Sequence, residues 1–397
     1  MVTSVWSQVV GQEPAVETLQ TAASAAAALV AGEADTSGGM THAWLFTGPP
    51  GSGRSVAART FAAALQCSTG TGCGGCTGCR TAVAGTHADV RLVVPEGLSI
   101  SVAEMRALVQ AAARRPTTGE WQVVIIEDAD RLTEGASNAL LKAVEEPPDR
   151  TVFLLCAPSD HPEDVSVTIR SRCRLVTLRT PPPDAIARVL AERDGVDEST
   201  ARWAASVCGG HVGRARRLAT DEAARGRRDS VLRIPLGLRR PGDVFTCADE
   251  LIKTAESDAA DESKTRDEAE AEELRTAMGS GGTGKGVAAA KRSADAAVKQ
   301  LEKRQKSRAT RTQRDTLDLA LIDLAGFYRD VLVTSSGAGA ILNHPDFAEH
   351  SREAAREWTP ASTLRRLEAV LECREAITWN VKPRIAVEAM ITTLREG

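Results

Sequence analysis

The sequence predicts an α/β domain followed by an all-α one, and three observations carry that prediction. A glycine-rich string, Gly48-Pro49-Pro50-Gly51-Ser52-Gly53-Arg54-Ser55, sits between an apolar run and an alanine-rich helical pattern. Short apolar runs that suit buried strands then alternate with helical patterns as far as about residue 180. From roughly residue 240 the chain turns to helical stretches without strands.

At 397 residues the chain is long enough for two or three domains. Its formal net charge of -4 gives no global basic footprint, so any contact with nucleic acid must come from a local patch or from partner subunits. Aromatic residues make up only 3%, too few for extensive base stacking. The first residues lack a basic segment followed by an apolar core, and the run from Ala22 to Ala31 is too short to span a bilayer. A cytosolic, non-membrane protein is expected. The nine cysteines are an odd number in such a chain, which argues against a disulfide framework.

Taken in order, Trp6 to Leu19 reads as an extended entry, then Gly11-Gln12, then a helix. Gly11 is either a helix-start glycine or part of a segment folding over a nucleotide base. Ala43 to Thr47 suits a buried strand and Val56 to Leu65 a helix, so the glycines fall where a strand turns into a helix. Backbone N–H groups in such a turn converge on an anion, and the helix N-terminus adds its positive end. On this reading Gly48, Gly51, Gly53, Arg54 and Ser55 hold the phosphates of ATP, with Ser55 reaching magnesium. Arg54 stands where the pattern has lysine, and its broad planar fork does not fill the same slot equivalently. The competing reading is a glycine-rich turn that binds nothing.

Directly after that helix come Cys67, Cys73, Cys76 and Cys79, separated by five, two and two positions with glycines between. Pairs two residues apart wrap one tetrahedral ion, and four thiolates leave no open coordination position, so a structural zinc is expected. Redox-active dithiols are the alternative. Cys156, Cys173, Cys208, Cys247 and Cys373 are isolated and read as buried small apolar residues.

Further strands are expected at Asp89 to Val94, Trp121 to Ile126, Thr151 to Ala157 and Leu175 to Leu178, with a capping box at Ser101 and Glu104 opening a helix. Glu127-Asp128 follows the apolar strand end, where nucleotide-hydrolysing folds put a magnesium-ordering carboxylate and then a base. The usual order is Asp then Glu, so the base position carries a side chain one methylene short. A displacement of about 1 Å there can cost on the order of 100-fold in rate. Acids capping the next helix are the plainer explanation. That helix, Glu134 to Glu146, stops at Pro147-Pro148. Arg172, in Ser171-Arg172-Cys173, closes a short helix, where a cation is favourable in its own right.

Residues 181 to 225 suit a small set of amphipathic helices, with a basic run from Arg214 to Arg217. Beyond them, Ala255 to Arg275 and Lys291 to Arg314 are densely charged, and the string from Gly279 to Gly286 imitates a phosphate loop. No strand precedes that string and no Ser or Thr follows Lys285, so it reads as a hinge or disorder. Leu317 to Leu332, Pro360 to Thr378 and Arg384 to Leu394 carry the apolar spacing of a helical C-terminal domain.

The phosphate-loop string, the four-cysteine insertion, IIEDADRL at 125 to 132, NALLKAVEEPP at 138 to 148 and SRC at 171 to 173 together resemble the bacterial clamp-loader AAA+ subunits of the DNA polymerase III holoenzyme. The resemblance runs from about residue 5 to 225, with a fainter continuation near the C-terminus. It implies a RecA-like parallel sheet at 1–180 with a zinc insertion at 67–79, a helical lid at 181–235, and a helical collar at 236–397 with a charged insertion at about 255–312. It further implies a hetero-oligomeric ring with gamma/tau and delta subunits, acting on the sliding clamp and primer-template DNA.

Within the family the chain is similar to the delta prime type more than to the ATP-hydrolysing gamma/tau type. Arg54 replaces lysine, Glu127-Asp128 is inverted, the first sensor position falls at Ala157 or Pro158, and the second at Gly213 beside Arg214. The intact SRC implies that Arg172 reaches a neighbouring subunit's nucleotide. The rival readings are an autonomous gamma/tau-type ATPase and a zinc-dependent DNA-binding adaptor.

Overall fold

The computed structural model describes residues 4–33, 39–95, 97–277 and 287–397. The chain divides into two units, Met1–Thr220 and Asp221–Gly397. The finer division expected from the sequence, with boundaries after 180 and 235, stands as a proposal.

In the first unit the strands are β1 (Ala43–Thr47), β2 (Val90–Val93), β3 (Gln122–Ile126), β4 (Thr151–Ala157) and β5 (Arg174–Thr177). They form one parallel sheet in the order β2-β3-β4-β1-β5. Around them run α1 (Glu13–Val30), α2 (Arg54–Leu65), α3 (Thr77–Val83), α4 (Val102–Ala112), α5 (Glu134–Glu145), the short α6 (Val167–Arg170), α7 (Pro183–Glu192), α8 (Glu198–Val207) and α9 (Val212–Thr220).

Every residue of β1, β3 and β4 is buried, because helices cover both faces of the sheet. This explains why these strands read as continuous apolar runs rather than alternating ones. Trp44, Phe46, Val123, Ile125, Leu154 and Cys156 face one core with Phe61 of α2, while Leu45, Val124, Ile126, Phe153 and Leu155 face another with Leu140 of α5. The rings of Trp44 and Phe61 meet edge to face at 5.1 Å. The edge strand β5 buries only Val176.

The parallel register fixes where the functional loops emerge. Thr47 pairs with Ala157 and Ile126 with Leu155, so the loops after β1, β3 and β4 leave the same edge side by side. A 3.1 Å hydrogen bond from the Gly48 N–H to the Pro158 carbonyl ties two of them together.

Two local expectations change. The entry at Val5–Gln8 is a single helical turn rather than an extended segment, because the Val5 N–H and the Ser4 hydroxyl both donate to the Gly72 carbonyl, and Trp6 Nε1 donates to the Thr71 carbonyl at 2.9 Å. Cys173 and Cys247 are only partly buried, whereas Cys156, Cys208 and Cys373 are buried as expected.

The second unit comprises α10 (Glu222–Gly237), α11 (Pro241–Ala277), α12 (Val287–Ser335), α13 (Ala348–Glu357), α14 (Pro360–Thr378) and α15 (Pro383–Glu396). Leu317, Leu321, Leu324, Phe327, Tyr328 and Val331 of α12 form its central stripe, against Val370, Val387 and Ile391. The charged stretch and the apolar stretch expected as separate helices are one continuous α12, since no proline interrupts it. Arg308 of α12 pairs with Asp267 and Glu270 of α11, each at 2.6 Å, so opposite charges hold the polar parts of the two helices together. The string from Gly279 to Gly286 lies outside the described residues.

A buried polar cluster pins the loop before α13. Arg228 binds Asp346 through both terminal nitrogens at 2.7 and 2.9 Å, and Asp330 accepts from the backbone N–H groups of Asn343 and His344. His344 Nε2 donates to the Asp323 carbonyl at 3.0 Å, which leaves Nδ1 to accept from Arg228. Gly326 makes this possible, because a Cβ there would lie 2.6 Å from His344 Nε2. Burial, then the charge of Arg228, holds His344 below its ordinary pKa. Among the described residues no helix is long and apolar enough to cross a membrane.

Candidate functional site

The glycine-rich loop takes the conformation its composition allows. Gly48, Gly51 and Gly53 have φ of 153°, 84° and 91°, a region closed to most side chains, and Gly53 caps the N-terminus of α2. The loop is enclosed by its neighbours: a Cβ on Gly48 would meet the Leu178 carbonyl at 2.5 Å, and one on Gly51 would meet His211 at 2.6 Å. His211 precedes α9, accepts a hydrogen bond from the Arg214 N–H, and is held below its ordinary pKa by burial, then by the charge of Arg214. Gln12, almost wholly buried, donates to the Ser52 and Arg179 carbonyls and accepts from the Arg179 N–H. It braces the loop against the segment leading to α7.

Within this frame the chemical groups are only partly available. Arg54 lies at the start of α2 with Nη1 enclosed and no hydrogen-bond partner for it, and the buried Ser52 hydroxyl also has none. Ser55 follows, partly buried. Glu127 does not stand open toward the loop: its Oε1 takes a 2.8 Å ion pair from Arg59, one and a half turns along α2. Asp128 adopts a left-handed backbone, φ 51°, and pairs loosely with Arg131 at 3.9 Å. Next to it, burial and then the charge of Asp128 raise the pKa of Asp130. Of the two residues expected at the first sensor position, Ala157 is the buried last residue of β4 and Pro158 follows it; Gly213, expected at the second, is the second residue of α9.

The four cysteines converge. The sulfurs of Cys67, Cys73, Cys76 and Cys79 all lie within 4.8 Å of one another, and those of Cys67 and Cys76 are 3.9 Å apart. Four sulfurs about 2.3 Å from a central zinc would stand about 3.8 Å from each other, so the set fits that ion. Burial alone would raise the Cys67 thiol, but hydrogen bonds from Thr69 and from the Cys73 N–H outweigh it and pull it down to about 5. Burial pushes the Cys79 thiol upward. The loop is also stapled at Trp6, as described above, and so joins the N-terminus to α2.

Arg172 follows α6 at the surface. Its Nη1 donates to the Thr168 carbonyl at 2.9 Å and to the Ser171 hydroxyl at 3.2 Å, and its Nη2 pairs with Glu145, the last residue of α5, at 2.6 Å. Both partners of the ion pair are more than a third exposed.

Sequence reasoning named the loop, the acidic pair, the cysteines and Arg172 as candidates. It did not find Arg59, His211 or the brace formed by Gln12. It also missed Asp89, a buried acid whose carboxylate accepts from the N–H groups of Thr117, Thr118 and Gly119 and from both threonine hydroxyls. Burial opposes its ionisation, but these donors hold it well below the usual carboxylate range.

A glycine loop between strand and helix, on a parallel sheet carrying an acidic pair beside it and three further helices after it, defines a P-loop module of the AAA+ class. Residues 25–182 match the family described as DNA polymerase III, delta subunit. The DNA polymerase III subunit delta' of Bacillus subtilis is 35% identical over 39% of this chain and 47% of its own length. The DNA polymerase III subunit gamma/tau of Mycobacterium tuberculosis is 33% identical over 48% of this chain and 32% of its own length. The matched stretch thus spans less than half of either relative. A solved gamma subunit-related protein of Thermotoga maritima is 16% identical, with a TM-score of 0.38, over 89% of this chain and 94% of that chain. By the sequence matches, the stretch 25–182 is similar to clamp-loader AAA+ subunits of DNA polymerase III.

Proposed function

We propose that this chain is the delta prime type of clamp-loader subunit, helping a hetero-oligomeric ring of gamma/tau and delta subunits place the sliding clamp on primed DNA. It lends Arg172 to the ATP site of a neighbouring subunit, and its own loop is a weak or absent hydrolase. The supporting observation is that Glu127, at the position for magnesium, is engaged by Arg59 at 2.8 Å, while Arg172 lies at the surface. An arginine finger supplied in trans contributes about 10³- to 10⁵-fold in related phosphoryl transfers. In the proposal Gly48, Gly51, Gly53, Arg54 and Ser55 retain at most a binding role toward ATP and magnesium, with Glu127 and Asp128 beside them. Cys67, Cys73, Cys76 and Cys79 hold a structural zinc.

The test is reconstitution with a gamma/tau-type partner, delta, clamp and primed DNA. Arg172→Ala should abolish most ATP turnover by the mixture without changing the chain's assembly. Turnover equal to wild type would refute the trans role. The loop glycines keep their left-handed geometry, which favours the second reading, an autonomous gamma/tau-type ATPase. On that reading the isolated chain turns over ATP and Arg54→Ala stops it.

A further inference from the structure

The Arg172 guanidinium is already occupied. The Thr168 carbonyl and the Ser171 hydroxyl hold Nη1 from within its own helical turn, whereas Glu145 reaches Nη2 from the end of a different helix. The first two acceptors are neutral and aim the side chain. The third is an anion, and it competes directly with any phosphate for the same charge and the same N–H. Glu145 is placed for this by the stop at Pro147: α5 ends at Glu145, beside the turn that follows α6.

We propose that Glu145 is a clasp, a positioning residue that parks Arg172 on its own subunit until a neighbour's triphosphate displaces the carboxylate. This rests on the trans reading above and adds a regulatory step to it. The exchange is one anion for another on a single guanidinium, so no bond is made or broken. An exposed ion pair is weak enough for a multiply charged phosphate to win, yet strong enough to lower the fraction of arginine that is free. Holding the finger against its own surface would also keep it from engaging stray anions before the ring forms.

The experiment uses the full chain in the reconstituted complex, with ATP turnover measured as kcat/KM for wild type, Glu145→Gln, Arg172→Ala and the double variant. Glutamine keeps the shape of the side chain and removes the charge. The clasp predicts that Glu145→Gln raises kcat/KM by about two- to fivefold, the range expected for releasing an exposed pair. The gain should vanish in the Arg172→Ala background and shrink as salt screens the wild-type pair. A fall in kcat/KM, no change, or a gain that survives in the double variant would overturn the clasp. Loss of turnover in Arg172→Ala alongside any of these leaves the trans reading standing, whereas wild-type turnover in Arg172→Ala removes both. A thermal melt of Glu145→Gln matching wild type shows that folding is not the cause.

Discussion

Two arginines of the first unit carry the same guanidinium into opposite circumstances. Arg54 stands at the start of α2 with Nη1 enclosed and unbonded, while the Glu127 carboxylate is held by another arginine, Arg59. Arg172 stands at the surface, with two neutral acceptors and one anion from its own chain supporting it. Charge alone therefore does not make a catalytic arginine. What matters is where a phosphate can reach the cation, and on the proposal above Arg172, at the surface, serves a neighbour once Glu145 gives way, whereas Arg54 is confined to its own loop.

The largest effect that would sharpen this contrast is on Arg172. Arg172→Lys should lower turnover of the reconstituted complex by at least about 10³-fold, because a point charge does not replace the fork in a finger role. The matching change at Arg54 should leave the same turnover within about twofold, as an exchange of cations that takes no part in the rate. Comparable losses from the two changes would break the contrast.

Next comes a change to the domain that carries both arginines. Asp89→Ala strands three backbone N–H groups and two hydroxyls of the turn at 117–119 before β3, and a loss of about 2 to 4 kcal/mol is expected. Chemical denaturation measures it. A loss below 0.5 kcal/mol, the usual scale of a neutral surface change, would show that the loop does not depend on this acid.

A smaller effect is expected from Arg59→Ala, which releases Glu127. Affinity of the isolated chain for ATP should rise by about two- to fivefold with magnesium present and stay unchanged in its absence, as read with a fluorescent nucleotide. An equal rise without metal would show that Arg59 acts on the loop and not through the carboxylate.

The smallest effect is on pH. His344 and His211 are held neutral by burial, with folded pKa values below the ordinary 6.5 or so, so the unfolded chain binds protons first as pH falls. Their contribution is complete above about pH 6.5 and diminishes below it. Asp89, also depressed, keeps its contribution until pH falls below about 4. Denaturation midpoints between pH 7.5 and 3.5 should therefore decline in two stages, and a flat profile from 7 to 5 would contradict the burial of the histidines.

Much of this molecule can be read from its residues, and the limits are physical. Strands β1 and β4 lie at the bounds their apolar runs predict, since full burial on both faces leaves a continuous signal. The capping box at Ser101 and Glu104 forms as local chemistry requires. The cysteines converge because their spacing is itself nearly a site. By contrast, nothing near Arg59 in the sequence points to Glu127, nor anything near His211 to Gly51, because those contacts come from the order of the strands and the packing of the helices that follow. The continuity of α12 was hidden by a change of composition: its polar and apolar parts look like two elements, but without a breaker the backbone has no reason to stop.

The most direct measurement is ATP turnover by the purified chain alone, with and without primed DNA, set beside turnover by the reconstituted complex. The account predicts no turnover above background for the isolated chain and an Arg172-dependent rate for the mixture. Brisk DNA-stimulated hydrolysis by the chain on its own, lost in Arg54→Ala and indifferent to Arg172→Ala, would contradict it.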